Sequence, residues 1–308
     1  MLVFQQTLKK AISFEGTGLH SGESCKIRVE PAPTDHGIVF AFREGDREIR
    51  CPARVESICD TMLATTLSPG GDFGHIRIAT TEHLMAALWG AGIDNALIQI
   101  EGPEVPSVDG SALPFMQGLL DSGRQTQTSM RRYLVIKESV EVSDGDRSVR
   151  LEPARSFRVS CRIQHEHSMI PLDTFTYEGS EEHFLTELAP ARTFGFTKDL
   201  EAMQKLGLAR GGSLDNALVF DQNKLLNPEG LRFDNECVRH KMLDSLGDLF
   251  LCGHRILGHL ILDCPGHALN AQLARKLLDT PTSYSLESIE ISPQAARHQG
   301  EPALSAHP

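Results

Sequence analysis

Short apolar runs of strand type open each half of this chain, and longer patterns of helical period close it. Side chains alternate across a strand and recur every three to four residues along a helix, so the two rhythms separate the elements. In the first half the strand-like runs are Ile27–Glu30, Ile38–Phe42, Met62–Leu67 and Ile76–Ile78. A helix is predicted from about Glu82 to Ala91 with Thr80 or Thr81 as N-cap, and then a buried-type strand, Ala96–Glu101. A second helix, roughly Leu113–Ser122, has Ser111 ahead of it, Pro114 in its first turn and Gly123 behind it.

The second half repeats this order. Strands are expected at Tyr133–Val142, Ser148–Leu151 and Phe157–Ile163, with a turn at Asp144–Gly145. A helix follows from about Asn235 to Cys252, capped by Asp234 and closed by Gly253, then a strand, Ile256–Asp263, and a helix, Ala268–Asp279. The recurrence points to a duplicated α+β unit. The polar, non-periodic segment Gly123–Arg131 reads as a linker, dividing the chain into domains 1–125 and 131–291. A helix at Asp199–Leu206 and the Gly211–Gly212 loop form an insertion within the second, and 292–308 reads as a disordered tail.

Bulk properties narrow the partners. A length of 308 residues suits two ordinary domains, and 40% hydrophobic with 23% charged residues is a globular composition. A formal charge of −11 argues against nucleic acid or anionic membrane as main partner, though a few local cations can still bind a small anion. No run approaches the ~18 apolar residues of a membrane helix, and the N-terminus lacks the apolar core of a signal peptide. Seven cysteines, odd in number and never spaced C-x-x-C, suit a reducing cytoplasm.

Two helices carry candidate chemistry. On the second-half helix His240, Asp244 and Asp248 recur every four residues and share one stripe, as on metal-binding helices. The alternative is a solvated polar face with an i,i+4 His–Asp hydrogen bond. The neighbouring stripe of Val238, Met242, Leu246, Leu249 and Phe250 puts the polar row at the core's edge. Cys237, one turn before His240, is a rival ligand. The first-half helix opens on Glu82-His83, but the metallopeptidase patterns fail: H-E-x-x-H meets Leu84 and H-x-x-E-H meets Ala79. An acid in a first turn is also favoured by the helix dipole. If the two helices meet, two histidines and an aspartate leave one tetrahedral position open, the arrangement of catalytic zinc.

An ordered series of motifs bears on whether they meet. It includes Gly16-Thr-Gly-Leu-His20, Asp60-Thr-Met-Leu63, Thr80-Thr-Glu-His-Leu84, Gly92-Ile-Asp-Asn95 and Val108-Asp-Gly-Ser111. It continues through Ala191-Arg-Thr-Phe-Gly-Phe196, Gly211-Gly-Ser213, Val238-Arg-His-Lys-Met-Leu-Asp244, Gly247-Asp-Leu249 and Gly266-His-Ala-Leu-Asn270. In these motifs, over nearly its whole length, the chain resembles the zinc-dependent UDP-3-O-acyl-N-acetylglucosamine deacetylases of lipid A biosynthesis.

The resemblance implies an α+β fold of two similar domains, each a two-layer α/β sandwich, with the active site between them. It implies one catalytic Zn²⁺, or Fe²⁺ in the cell, on His83, His240 and Asp244, with Glu82 as general base. His267 matches the residue that protonates the leaving group, Asp248 its orienting partner, and Thr193 a hydroxyl on the oxyanion. Lys241, Phe194, Leu63, His20 and Gly212 are the implied substrate contacts, and an acyl-chain passage occupies about 196–220, with Leu200, Met203, Leu206 and Leu208 as apolar surface or as packing of the inserted helix. The implied partner is the acylated UDP-N-acetylglucosamine alone, for a cytoplasmic monomer without a membrane segment. Two positions depart from the family: His165 stands near where an aromatic contacts the nucleotide, and Ala64 where many relatives carry Cys. A non-catalytic metal-containing binder of the same ligand is the competing class, and it would not need both Glu82 and His267.

Overall fold

The computed structural model describes residues 3–165, 167–170 and 172–289, so the tail expected at 292–308 lies outside the described residues. The first five-stranded sheet runs Ile12–Thr17, Ser24–Pro31, Ala96–Glu101, Ile38–Glu44, Arg47–Pro52. The second runs Val140–Asp144, Arg147–Glu152, His259–Asp263, Arg158–Ile163, Asp173–Tyr177. In both, two hairpins flank a central strand that comes last in the chain. That strand is antiparallel to one hairpin and parallel to the other. The matching order is the duplication that the sequence suggested. The fold is α+β, with two similar two-layer units.

Period-two burial sets the register. Cys25, Ile27 and Val29 face inward beside Ile98 and Ile100, and Val149 and Leu151 face inward beside Leu260 and Leu262. A one-residue slip would turn each set to solvent.

The helices are α1 (Glu82–Gly90), α2 (Leu113–Ser122), the single turn α3 (Glu181–His183), α4 (Thr197–Lys205), α5 (Glu236–Phe250) and α6 (His267–Leu278). α1 and α5 pack directly on each other, and every residue of α1 is buried, so it lacks a polar face. Gly247 permits this approach: a Cβ there would lie 2.0 Å from the Glu82 carbonyl oxygen. The buried side chains of both units form one connected core.

Several expectations need correction. Gly123–Arg131 is no linker: Arg124–Met130 pairs antiparallel with Phe4–Leu8, a polar two-stranded ribbon that hydrophobic periodicity cannot reveal. Within Met62–Leu67 only Thr66–Leu67 is strand, and Ile78 makes an isolated bridge to Leu67. The runs Tyr133–Val142 and Ile256–Asp263 each divide between two sheets. Tyr133–Ile136 joins Arg255–Leu257 and Tyr284–Glu287, while Val140–Asp144 and His259–Asp263 enter the large sheet.

Thr81 occupies the N-cap position of α1 as expected, but neither threonine hydroxyl makes the capping hydrogen bond. The Thr81 hydroxyl donates to the Thr65 carbonyl, and that of Thr80 to Glu104, so tertiary partners outcompete the local cap. α5 starts at Glu236 after Asn235, not from an Asp234 cap, and the Glu236 carboxylate accepts from Arg192 instead.

Candidate active site

α1 and α6 each begin at the place where α5 passes between them. Glu82 and His83 open α1, His267 opens α6, and His240, Asp244 and Asp248 line α5 at four-residue intervals. All six side chains are buried. They sort into two groups of three, His83–His240–Asp244 and Glu82–Asp248–His267.

In the first group Nε2 of His83 lies 3.4 Å, and Nε2 of His240 3.3 Å, from Oδ1 of Asp244. The two rings meet edge to face with centroids 4.9 Å apart. His240 donates from Nδ1 to the Ala191 carbonyl at 3.0 Å, which leaves the Nε2 lone pair free to coordinate a cation. Oδ1 of Asp244 is buried and has no hydrogen-bond partner among the described residues, while Oδ2 accepts from Lys241 at 2.8 Å. Ligand atoms about 2.0–2.1 Å from a tetrahedral zinc stand roughly 3.4 Å apart. Two imidazole nitrogens at that spacing from an orphaned carboxylate oxygen, all three within 4.8 Å of one another, fit a divalent cation.

The charges agree. Burial would raise the Asp244 carboxyl, but His240 and Lys241 outweigh it and hold it well below its ordinary range. Burial drives His240 down to about 3, while at His83 burial is overcome by Asp244 and the imidazole rises, so the carboxylate favours a proton on the His83 ring. A bound cation would take the place of that proton.

In the second group Asp248 accepts from Nδ1 of His267 at 2.9 Å, from Asn270 at 2.8 Å and from the Thr65 hydroxyl. Burial lowers His267, but Asp248 and Glu82 prevail and lift it to about 9. Glu82 is raised by burial against the pull of His267 and His83. Its Oε2 accepts the Thr65 amide at 3.0 Å, and its Oε1 lies 3.8 Å from Nε2 of His267. A carboxylate made more basic therefore faces an imidazolium beside the first group.

A cavity of about 720 Å³ opens beside both groups. Its lining includes His20, Leu63, Thr193, Phe194, Gly212, Lys241 and His267, so all five expected substrate contacts border one space. Thr193 is fixed by its amide, which donates to the Gly110 carbonyl at 2.8 Å. Gly110, at φ +82, lies so close to Asn216 that a Cβ would sit 2.1 Å from its carbonyl oxygen, which accounts for the glycine of the Val-Asp-Gly-Ser motif. Leu200 and Met203 of α4 line the cavity, but Leu206 is 65% exposed and Leu208 stays outside the lining. His165 borders the cavity with its ring 5.7 Å from Phe194 and 5.4 Å from Phe196. Cys237 is buried and belongs to neither cluster.

Three residues at the site escape a reading of the sequence alone. Asn270 follows His267 by three positions, so helical spacing could have placed it on the same face. Thr65 sits just past the Asp60–Leu63 motif and touches both Glu82 and Asp248. Glu104, fully buried, accepts from the amides of His20 and Ser21 and from the Thr80 hydroxyl, tying the cavity rim to the start of α1.

The family model described as UDP-3-O-acyl N-acetylglycosamine deacetylase matches residues 5–279. The chain belongs to this deacetylase family. A UDP-3-O-acyl-N-acetylglucosamine deacetylase of Myxococcus xanthus (strain DK1622) is 46% identical over 282 residues, spanning 92% of this chain and 88% of that protein. The proteins so named from Geobacter sp. (strain M21) and Actinobacillus succinogenes (strain ATCC 55618 / DSM 22257 / CCUG 43843 / 130Z) are 44% and 43% identical, each spanning 94% of its own length and 96% and 94% of this chain. As a member of the deacetylase family the protein is a hydrolase acting on an amide, and the family is one of metalloenzymes. Among the described residues no helix is long and apolar enough to cross a membrane.

Proposed function

We propose that the protein hydrolyses the N-acetyl group of UDP-3-O-[(3R)-3-hydroxyacyl]-N-acetylglucosamine, giving acetate and UDP-3-O-acyl-glucosamine, the committed step of lipid A biosynthesis. The observation that carries the site assignment is the basic Glu82 facing the protonated His267 beside an orphaned Asp244 oxygen. His83, His240 and Asp244 would hold the ion, which we take to be Zn²⁺. Bound there, zinc supplies a Lewis acid that polarises a carbonyl and acidifies water to a pKa near 7.

In this reading Glu82 takes the proton of the attacking water, a contribution of about 10²–10⁴-fold for a well-placed base. His267 carries its proton on the side facing Glu82 and gives it to the departing sugar nitrogen. Asp248 does not react; it holds the ring by Nδ1 and keeps it cationic. Thr193 offers its hydroxyl to the oxygen that becomes negative, where one such donor is worth about 10²–10³ in rate. Lys241, 2.8 Å from Asp244, sets the position of that ligand and presents a cation to the cavity.

The cavity wall of Leu200, Met203, Phe194 and Phe196 supports an acyl passage in the inserted segment 196–220, with His20, Leu63 and Gly212 at the substrate. His165 would meet the nucleotide. Both halves of the site come from one chain, so a monomer suffices for the reaction, and its seven unpaired cysteines favour the cytoplasm.

Acetate release from acylated UDP-N-acetylglucosamine of graded chain length, with metal analysis of the same samples, tests this. Turnover should follow zinc at one ion per chain, and KM should fall as the acyl chain lengthens. Tight ligand binding with full metal and no acetate would favour the non-catalytic binder.

A further inference from the structure

A second cavity, of about 370 Å³, lies at the end of α1 remote from Glu82 and His83 and shares no lining residue with the catalytic one. Trp89 at its wall is seven residues along α1 from Glu82, roughly 10 Å at 1.5 Å per residue. Trp89 and Arg124 from the first half line it together with Arg131, Phe157, Tyr177 and Arg255 from the second.

Its charge is unbalanced. Three guanidinium groups line the cavity with a single carboxylate, Glu181, which Arg124 already engages. Behind the wall Asp94 is taken by Arg131, whose Nε and Nη2 donate to its two oxygens at 2.8 and 2.7 Å. Arg255 is left 3.9 Å from Asp94; its Nη2 donates to the Trp89 carbonyl, while its Nε is buried with no hydrogen-bond partner among the described residues. Three cations thus share two carboxylates inside a protein whose net charge is −11. Burial and the neighbouring Arg131 pull the Arg255 guanidinium down to about 10, the mark of a cation short of counter-charge.

Four aromatic rings, Trp89, Tyr133, Phe157 and Tyr177, also line the cavity. The Trp89 ring lies 5.3 Å from Phe157 and 6.1 Å from Tyr177, and the Arg255 guanidinium stands 5.1 Å from the Trp89 ring. A buried guanidinium beside aromatic faces recognises planar oxyanions and stacks on flat rings.

We infer that this cavity is a second binding site, separate from the deacetylase centre, for a small ligand joining a carboxylate or phosphate head to a flat apolar body. Such a ligand would bridge the two halves of the molecule and stabilise them by mass action.

Trp89 is the chain's sole tryptophan, so its emission reports on this cavity. The metal-loaded protein would be titrated with phenyl phosphate, benzoate, phenol and inorganic phosphate. Saturable change is expected with phenyl phosphate or benzoate, and whichever binds tighter identifies the head group. Binding of phenol and of inorganic phosphate should be at least about tenfold weaker. Arg255→Gln should weaken binding about tenfold or more with deacetylase turnover within about twofold of wild type, and Lys241→Ala should leave the titration unchanged. No saturable change up to about 10 mM, enough to reveal a Kd near 1 mM, would overturn the inference. So would a phenol response equal to that of phenyl phosphate, or indifference to Arg255→Gln. If Arg255→Gln does not fold, the phenol comparison decides without any variant.

Discussion

Asp248→Asn separates charge from geometry at the proton-donating side of the site. The oxygen of an asparagine can still accept from His267 and Asn270, and its amide can donate to Thr65, whose hydroxyl turns to accept. What disappears is the negative charge 2.9 Å from the imidazolium. At an effective dielectric of ~20 that charge is worth about 6 kcal/mol. The lift of His267 from 6.5 to about 9 corresponds to ~3.4 kcal/mol, smaller because burial works against it. Without the charge, burial should carry His267 to 6.5 or below. At pH 8 the protonated fraction would then fall from about nine-tenths to ~3%, roughly a thirtyfold loss of acid. The sign is that of a group raised by its partner: the protonated form is held up to about pH 9 in wild type and released by neutral pH in the variant. NMR titration of the histidine rings in metal-free protein, with His267→Gln for assignment, reads this directly. The alkaline limb of the kcat/KM profile should also shift to lower pH while zinc stays at one per chain. A His267 that still titrates near 9 in Asp248→Asn, or loss of the metal, would refute the reasoning.

Other outcomes follow from the same geometry. Glu82→Gln preserves shape and the Thr65 contact but removes the base, so turnover should drop about 10²–10⁴-fold at full zinc content; near-normal acetate release would unseat Glu82. Asp244→Ala takes away the oxygen shared by both imidazoles, and metal analysis after dialysis should find the zinc gone, where a retained stoichiometric ion would disprove the ligand set. Glu104→Ala leaves three donors on the cavity rim without an acceptor; at 1–3 kcal/mol each, a loss of about 3 kcal/mol or more should appear in denaturant unfolding, together with a raised KM and intact metal. Unchanged stability in that variant would mean that water replaces the carboxylate.

The periodic elements were legible in the order of residues alone. α1, α2, α5 and α6 appear within a residue or two of the expected bounds, apart from the first-turn caps, because a helical stripe is a local property. That order also placed His240, Asp244 and Asp248 on one face, since spacing along a helix fixes which side chains are neighbours. The family motifs singled out His83, Glu82 and His267, and these residues do converge with the stripe in the folded chain.

Features that depend on contacts between distant segments emerged only on folding. The polar strand Arg124–Met130 exists because Phe4–Leu8 pairs with it, and hydrogen bonding between backbones leaves no hydrophobic rhythm to read. The threonines before α1 gave up capping for partners such as Glu104, a residue with no motif or period to mark it. The basicity of Glu82 and the charge of His267 likewise come from burial and from neighbours brought in by other helices. Local pattern is set by residues a few positions apart, whereas pKa, strand pairing across the chain and cavity shape are set by whatever folding brings within a few ångströms.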